Sequence, residues 1–229
     1  MALSKMVYST RFPFRPLVLP AGTCFPTGYR ITSMLKSICI YCGSSMGTSE
    51  LYADAMRQLA HEMINENIAL VYGGGKVGLM GILADEMIRL GGEVTGVIPK
   101  DLMDKELAHE ELTRLYIVKD MHERKALMAD LANGFIAAPG GIGTMEELFE
   151  TSAWFQLGLH DKPIGIFNVN NYYDCLIDLV NHFAREGFAQ EKYSESLVIE
   201  ADPKELLNRL RIAATPKEKP ARSPGRFLI

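Results

Sequence analysis

Residues 135–147 read Phe-Ile-Ala-Ala-Pro-Gly-Gly-Ile-Gly-Thr-Met-Glu-Glu, and this stretch decides the fold class of the chain. Its first four residues are typical of a buried strand, and the glycine-rich turn that follows leads into a helix expected at about 144–157. Residues 68–72 repeat this order, because they form an apolar strand that ends in Gly73-Gly74-Gly75 before a helix expected at about 78–90. Two strand–turn–helix units of this kind indicate a parallel sheet.

The same alternation extends on both sides of these two units. Further short apolar runs predict strands at residues 37–41, 94–98, 115–118, 164–169 and 197–199. Helical spacing of apolar residues predicts helices at residues 50–65, 121–131, 172–185 and 203–212. Since the strands are apolar on both faces, we expect helices on both faces of the sheet. The prediction is an α/β fold, with a single Rossmann-like, doubly wound domain over residues 34–214 and a mostly parallel sheet.

Both ends of the chain differ from this domain in composition. Residues 1–33 contain four bases and no acid, so we treat them as an N-terminal extension, either an organellar transit peptide or a segment absent from the native protein. Residues 215–229 contain three prolines and four bases, which is typical of a loose C-terminal tail.

Composition excludes several classes of function. The formal net charge of −4 gives no reason to expect a nucleic acid partner, and no apolar run approaches the roughly 18 residues that a membrane span requires. Four cysteines are too few for a disulfide scaffold, so a reduced, cytoplasmic setting is expected. The five histidines show no metal-ligand spacing, and Cys39 and Cys42 should face opposite sides of a strand. We therefore predict no metal site.

The glycine turn at residues 73–78 satisfies the pattern Gly-x-Gly-x-x-Gly of dinucleotide sites. Such sites also use an acidic residue at the end of the next strand, but Pro99-Lys100 stand there. A plain anion-binding turn is therefore the preferred interpretation, with a dinucleotide site as the alternative. Ligands of doubly wound sheets bind at the carboxyl ends of the strands. The candidate phosphate or ribose contacts in the first two turns are Gly43, Ser44, Ser45, Gly74 and Gly75.

The turn at residues 139–144 and the helix start at residues 121–125 are the strongest candidates for binding a phosphate. The glycines of the turn allow close backbone approach, and the helix after it presents N–H groups and a positive dipole end. Arg124 and Lys125 lie in the first turn of their helix, where cations are unfavourable unless an anion binds nearby. The alternatives are a tight structural turn and a solvated, charged helix start.

Four ordered blocks of this sequence resemble one known family. Residues 139–147 match its signature Pro-Gly-Gly-x-Gly-Thr-x-x-Glu, and residues 121–125 match its Met-His-x-Arg-Lys element. Residues 42–45 and 72–81 match two further blocks in the same order. On these motifs the chain resembles, from about residue 34 to residue 212, the Lonely Guy family of cytokinin riboside 5′-monophosphate phosphoribohydrolases, long mislabelled "possible lysine decarboxylase".

The resemblance implies hydrolysis of the N-glycosidic bond of a nucleoside 5′-monophosphate to free base and ribose 5-phosphate. It implies Arg124 and Glu147 as the catalytic pair, no cofactor and no metal, and a homodimer or higher homo-oligomer with sites near the interface. The substrate-binding residues that it implies are Glu106, Lys125, Gly140, Gly141, Ile142, Gly143, Thr144, Met145 and Glu146. Ala153 stands where the family pattern has a threonine, which leaves the preference between cytokinin and adenine bases open.

An alternative of a different class is a nucleotide or molybdenum-cofactor carrier that binds without hydrolysis, since related carriers have a similar glycine signature. The presence of both Arg124 and Glu147 favours an enzyme, because a carrier could dispense with either. A lysine decarboxylase would need pyridoxal phosphate on a Schiff-base lysine, and the sequence gives no basis for that chemistry.

Overall fold

The computed structural model describes residues 35–103 and 108–215, without the side chains of residues 191 and 192. The expected extension at residues 1–33, the tail beyond Thr215 and the candidate residue Glu106 lie outside the described residues. Within them, every helix is too short or too polar to cross a lipid bilayer.

In the described part of the chain, seven strands form one sheet. They are β1 (Ser37–Tyr41), β2 (Ala69–Tyr72), β3 (Val94–Pro99), β4 (Arg114–Val118), β5 (Gly134–Ala137), β6 (Ile164–Phe167) and β7 (Leu197–Glu200). Their order is β4-β3-β2-β1-β5-β6-β7, and neighbouring strands are parallel throughout. Because the chain runs outward from β1 to β4 and then returns to the other side of β1 with β5, the topological switch point lies between β1 and β5.

Helices cover both faces of this sheet. The α-helices among the described residues are α1 (Glu50–Asn65), α2 (Gly78–Arg89), α3 (Met121–Leu131), α4 (Ile142–Gln156), α5 (Asp174–Arg185), α6 (Glu191–Ser196) and α7 (Pro203–Ala213). Buried residues of α1, α2 and α7 form the core on one face, and those of α3, α4 and α5 form the core on the other. The predicted doubly wound α/β fold with a parallel sheet is therefore confirmed.

Strand β1 shows how the sequence pattern produces the two cores. Ile38 and Ile40 are buried on the α1 face, whereas Cys39 and Tyr41 are buried on the α3 face, because successive side chains of a strand point to opposite sides. Cys42 follows on the α1 face. The expectation that the two cysteines face opposite sides is confirmed, so they cannot act as a pair.

Two helices differ from the sequence-based expectation. Helix α5 begins at Asp174 rather than at residue 172, because Tyr173, with φ of −100° and ψ of 9°, is its N-cap and departs from helical angles. Helix α6 was not predicted, since its six residues are too few and too polar to show apolar periodicity.

Candidate active site

A cavity of about 470 Å³ opens at the carboxyl ends of β1 and β5, at the topological switch point. The loop after β1, the starts of α2, α3 and α4, and the loop after β6 contribute to its wall. The predicted site residues that line this cavity are Gly43, Ser44, Ser45, Arg124, Gly140, Gly141, Ile142, Gly143, Thr144, Glu146 and Glu147. The structure thus brings the two members of the implied catalytic pair to one cavity, together with the signature turn.

The loops after β1 and β5 lie backbone to backbone. The amide of Gly43 donates to the carbonyl of Pro139 at 3.0 Å, and the amide of Ala138 donates to the carbonyl of Tyr41 at 2.8 Å. A Cβ atom added at Gly43 would lie 3.4 Å from the Cα atom of Gly140. Small residues at both positions are therefore what allows the two loops to meet at the floor of the cavity.

The start of α4 is open towards the cavity. Its N-cap residue is Gly141, which offers no side chain to the first amides, whereas α1, α3 and α7 are capped by Ser49, Asp120 and Asp202. An added Cβ at Gly143 would meet no other atom within 4 Å. Helix N-termini present N–H groups and the positive end of the helix dipole, so this one is suited to hold an anion.

Thr144 and Tyr172 hold Gly140 from two sides. A Cβ at Gly140 would overlap with Oγ1 of the buried Thr144. The hydroxyl of Tyr172, in the loop after β6, donates to the carbonyl of Gly140 at 2.6 Å. The ring of Tyr172 also packs edge-on against Tyr52, with 5.7 Å between the ring centroids, and both rings line the cavity. Neither tyrosine belongs to a motif that the sequence analysis recognises.

Arg124 reaches the cavity from α3 and is 4% exposed. Its Nε donates to the carbonyl of Val97 in β3 at 3.1 Å, and its Nη2 donates to the carbonyl of Gly73 after β2 at 2.8 Å. Its Nη1 lies 3.6 Å from Sδ of Met121. Hydrogen bonds from a charged donor to two separate strand ends fix the plane of the guanidinium and explain how a cation is tolerated so close to the helix start.

Glu147 is half-buried on α4 and lies near the end of β1. Burial, and next the negative charge of Glu147, raises the pKa of the thiols of Cys39 and Cys42. Both cysteines are therefore neutral thiols and not nucleophiles at physiological pH. The same carboxylate contributes to the raised pKa of the Tyr41 hydroxyl, after burial and neighbouring contacts.

Lys125 does not line the cavity, in contrast to its expected role as a substrate contact. Its side chain is buried, and its Nζ lies 2.5 Å from Glu146 and 2.9 Å from Glu150 on α4. Burial alone would lower the pKa of this ammonium group, but the hydrogen bonds to both glutamates outweigh it, so the pKa is raised. The positive charge of Lys125 is thus balanced within the protein, and its side chain links α3 to α4.

Three further candidates serve the fold. Met145 packs its side chain against the core on the α3 face. Gly74 and Gly75 do not line the cavity: the carbonyl of Gly74 accepts from the amide of His109 at 3.0 Å, and Gly75 forms a bridge with Ala108. Their expected contact with a phosphate is therefore not supported, because this turn pairs with the segment after β3.

Several apolar side chains contribute to the cavity wall, which the sequence patterns did not indicate. They are Met80 of α2, Leu102 after β3 and Met121 of α3, together with Met46 and Tyr52. Among the described residues that line the cavity none is a lysine. Within the described ranges, no three His, Cys, Asp or Glu side chains are grouped so that they could hold a metal ion.

Comparisons with known proteins identify the family. A family described as "Possible lysine decarboxylase" matches residues 80–210. A probable cytokinin riboside 5′-monophosphate phosphoribohydrolase of Oryza sativa subsp. japonica is 44% identical over 189 residues, which cover 82% of this chain and 78% of that protein. A cytokinin riboside 5′-monophosphate phosphoribohydrolase of Arabidopsis thaliana is 45% identical over 180 residues, which cover 79% of each. The chain belongs to the Lonely Guy family.

Solved structures share the fold of this Lonely Guy protein at much lower identity. A molybdenum cofactor binding protein of the phototrophic bacterium Rippkaea orientalis aligns with a TM-score of 0.58 at 16% identity, covering 77% of this chain and 96% of that one. The Moco carrier protein of Chlamydomonas reinhardtii aligns with a TM-score of 0.57 at 16% identity, covering 78% and 96%. This likeness shows that the chain has the same fold as these two proteins.

Proposed function

We propose that this Lonely Guy protein is a phosphoribohydrolase that cleaves the N-glycosidic bond of a nucleoside 5′-monophosphate, a cytokinin riboside 5′-monophosphate or AMP. The observation that carries the proposal is that Arg124 and Glu147 line one cavity beside the uncapped start of α4. The curated relatives at 44% and 45% identity are named for this activity. A decarboxylase role is disfavoured, because no lysine among the described lining residues offers an amine for a Schiff base.

In the proposed reaction, the amides at the start of α4 hold the 5′-phosphate, and Gly141, Gly143 and Thr144 form this subsite. The oxygen of a water molecule bonds to C1′ of the ribose while the bond from C1′ to the base nitrogen breaks. The proton that the water loses goes to that nitrogen, so ribose 5-phosphate and the neutral free base result. Positive charge develops at C1′ during this step. The carboxylate of Glu147 stabilises that charge and orients the ribose hydroxyls or the water. The fixed guanidinium of Arg124 holds the substrate in place.

The apolar side chains of the cavity wall are the proposed contacts of the base. With the phosphate at the start of α4, the base extends towards Met80, Leu102 and Met121. Methionine side chains adapt to irregular apolar groups, so this surface suits a base that carries an isopentenyl substituent. We therefore expect the kcat/KM for the isopentenyl-adenosine monophosphate to exceed that for AMP.

We also propose that the protein acts as a homodimer, or a higher homo-oligomer, in the cytoplasm. Leu157 and Leu159, directly after α4, are 75% and 70% exposed, and apolar side chains at this exposure favour a subunit contact. Cys39, Cys42 and Cys175 are free thiols, as expected in a reducing compartment. The domain of residues 34–214 is the proposed catalytic unit. Light scattering on the purified protein measures the oligomeric state.

The decisive test is to incubate the protein with AMP and with the isopentenyl nucleotide and to separate the products by chromatography. We expect free base and ribose 5-phosphate from the unaltered protein and none from Glu147→Gln. The matched control is Glu150→Gln, which changes the same residue type on the same helix outside the cavity and should retain activity. Tight binding of the nucleotides without any product would instead support a carrier, and base release by Glu147→Gln would contradict the assignment.

A further inference from the structure

The glycines of the turn after β2 are required for different reasons. Gly74 has a φ of +79°, which L side chains rarely adopt. Gly73 is not among the positive-φ glycines of the structure, so its backbone would accept an alanine. The absence of a side chain at residue 73 therefore needs another explanation.

The space where a side chain of residue 73 would lie is occupied by Arg124. A Cβ added at Gly73 would overlap with Nη2 of Arg124 and lie 3.1 Å from its Cζ. The next neighbour, Sδ of Met80, would be in ordinary contact at 3.4 Å. The carbonyl of Gly73 also accepts the 2.8 Å hydrogen bond from the same Nη2. The absence of a side chain at residue 73 thus leaves room for the guanidinium of Arg124, and the carbonyl of the same residue binds it.

The guanidinium is also held by a hydrogen bond to a second strand end. Arg124 is 4% exposed, and its Nε is held by the carbonyl of Val97 in the neighbouring strand. A methyl group at residue 73 would push Nη2 away from the carbonyl while Nε stays bound, so the plane of the guanidinium would rotate. Buried charged donors lose their hydrogen bonds at high cost and do not shift without consequence for the site.

We infer that Gly73 is a positioning residue that sets the orientation of the Arg124 guanidinium in the cavity. The kinetic consequence of this inference rests on the proposed phosphoribohydrolase activity, whereas its structural consequence does not. Gly73 does not touch the substrate in this account; it acts through Arg124.

The kinetic test is the Gly73→Ala variant. Because a displacement of about 1 Å in a positioned catalytic group costs on the order of 100-fold in rate, we expect kcat to fall by about 10- to 100-fold with KM changed less than about threefold. The matched control is Gly165→Ala in β6, where an added Cβ would press on Leu206 at 3.1 Å and Leu210 at 3.2 Å, away from the cavity. This control should lose stability and keep its kcat. Unchanged kcat in Gly73→Ala would overturn the inference.

A double-variant cycle tests the overlap without any activity measurement. In the Arg124→Ala background the nearest atom to a Cβ at residue 73 is Sδ of Met80, at an ordinary contact distance of 3.4 Å. Gly73→Ala should therefore lower the Tm by about 5 °C in the otherwise unaltered protein and leave it unchanged in the Arg124→Ala background. Equal losses of Tm in both backgrounds would refute the inference. If the single variant Gly73→Ala does not fold, the Tm of Arg124→Ala can still be compared with that of the double variant.

A spectroscopic test distinguishes failure of this inference from failure of the proposed function. The Nε–H group of Arg124, buried and bound to Val97, should give a slowly exchanging arginine signal in NMR spectra, assigned by its loss in Arg124→Lys. Gly73→Ala should shift this signal, because the guanidinium plane rotates about the bound Nε atom, and Gly165→Ala should not shift it. An unchanged signal refutes the role of Gly73 even in a protein without hydrolase activity. A shifted signal in an inactive protein would support the positioning role and reject the hydrolase.

Discussion

The two glycine turns after β2 and after β5 look alike in sequence and serve different purposes in the structure. After β2, the amide of Met80 in the first turn of α2 donates to the carbonyl of Gly43 at 3.3 Å, and a Cβ at Gly78 would overlap with the backbone of Ser44. The start of α2 is therefore covered by the loop after β1. After β5, the start of α4 opens into the cavity. A glycine-rich strand–helix turn predicts an anion site only where the neighbouring loop leaves it open.

The largest effect is expected from Gly140→Ala in the turn after β5. Its Cβ would overlap with Oγ1 of Thr144 and lie 2.8 Å from the amide of Gly43, so the two loops that form the cavity floor would separate. We expect kcat/KM for the nucleotide to fall by about 100-fold. Steady-state kinetics measures kcat/KM, and thermal unfolding is the control for stability. A kcat/KM within threefold of that of the unaltered protein would show that the cavity floor is not part of the site.

Gly74→Ala in the turn after β2 should cost stability and not activity. Alanine at a φ of +79° costs about 1–2 kcal/mol, and the new methyl group would press on Ile98 and Leu115 at 3.3 Å. Urea denaturation should show this loss, while the KM for the nucleotide stays the same. A raised KM at unchanged stability would indicate that Gly74 contacts the phosphate. It would contradict the proposed difference between the two turns.

Gly143→Ala should weaken substrate binding without a loss of stability. This residue lies in the first turn of α4, and an added methyl group would meet no protein atom within 4 Å. Alanine is favoured over glycine within a helix by about 1 kcal/mol, so stability should rise slightly. The methyl group would project towards the bound phosphate, and the loss of one charge-assisted hydrogen bond should raise KM about tenfold. A rise in Tm with unchanged KM would place the phosphate elsewhere.

The smallest effect is expected at His160, which contacts the C-terminal half of α4. Its Nε2 donates to the carbonyl of Thr151 at 3.0 Å, and its Nδ1 accepts from the amide of Lys162. Burial lowers the pKa of this imidazole below its usual 6.5. Since the unfolded chain binds the proton more readily, the stability from neutral His160 is present above about pH 6.5 and is lost as the pH falls through the folded-state pKa.

We expect the variant His160→Gln to remove part of this pH dependence of the unfolding free energy, a change below about 1 kcal/mol because the ring is partly exposed. Urea titrations at pH 5 and pH 7.5 on both proteins measure it. The same slope between these two pH values in both proteins would contradict the account of His160.

Local sequence patterns predicted the order of strands and helices and placed the site at the strand ends, because periodicity and glycine turns are local properties. They do not show contacts between residues that lie far apart in the chain. Lys125 is predicted as a substrate contact from its position in a motif, and its ion pairs with Glu146 and Glu150 on another helix are visible only in the structure. Gly73 was missed because the guanidinium that fills its side-chain space belongs to Arg124. Only the packed structure brings such pairs together.

The most direct test of the central claim is a crystal structure of Glu147→Gln with bound AMP. We expect the phosphate within about 3 Å of the amides at the start of α4, the C1′ atom between residues 124 and 147, and the base against Met80 and Met121. A phosphate bound instead at the turn of Gly74 and Gly75, or on Lys125, would contradict it.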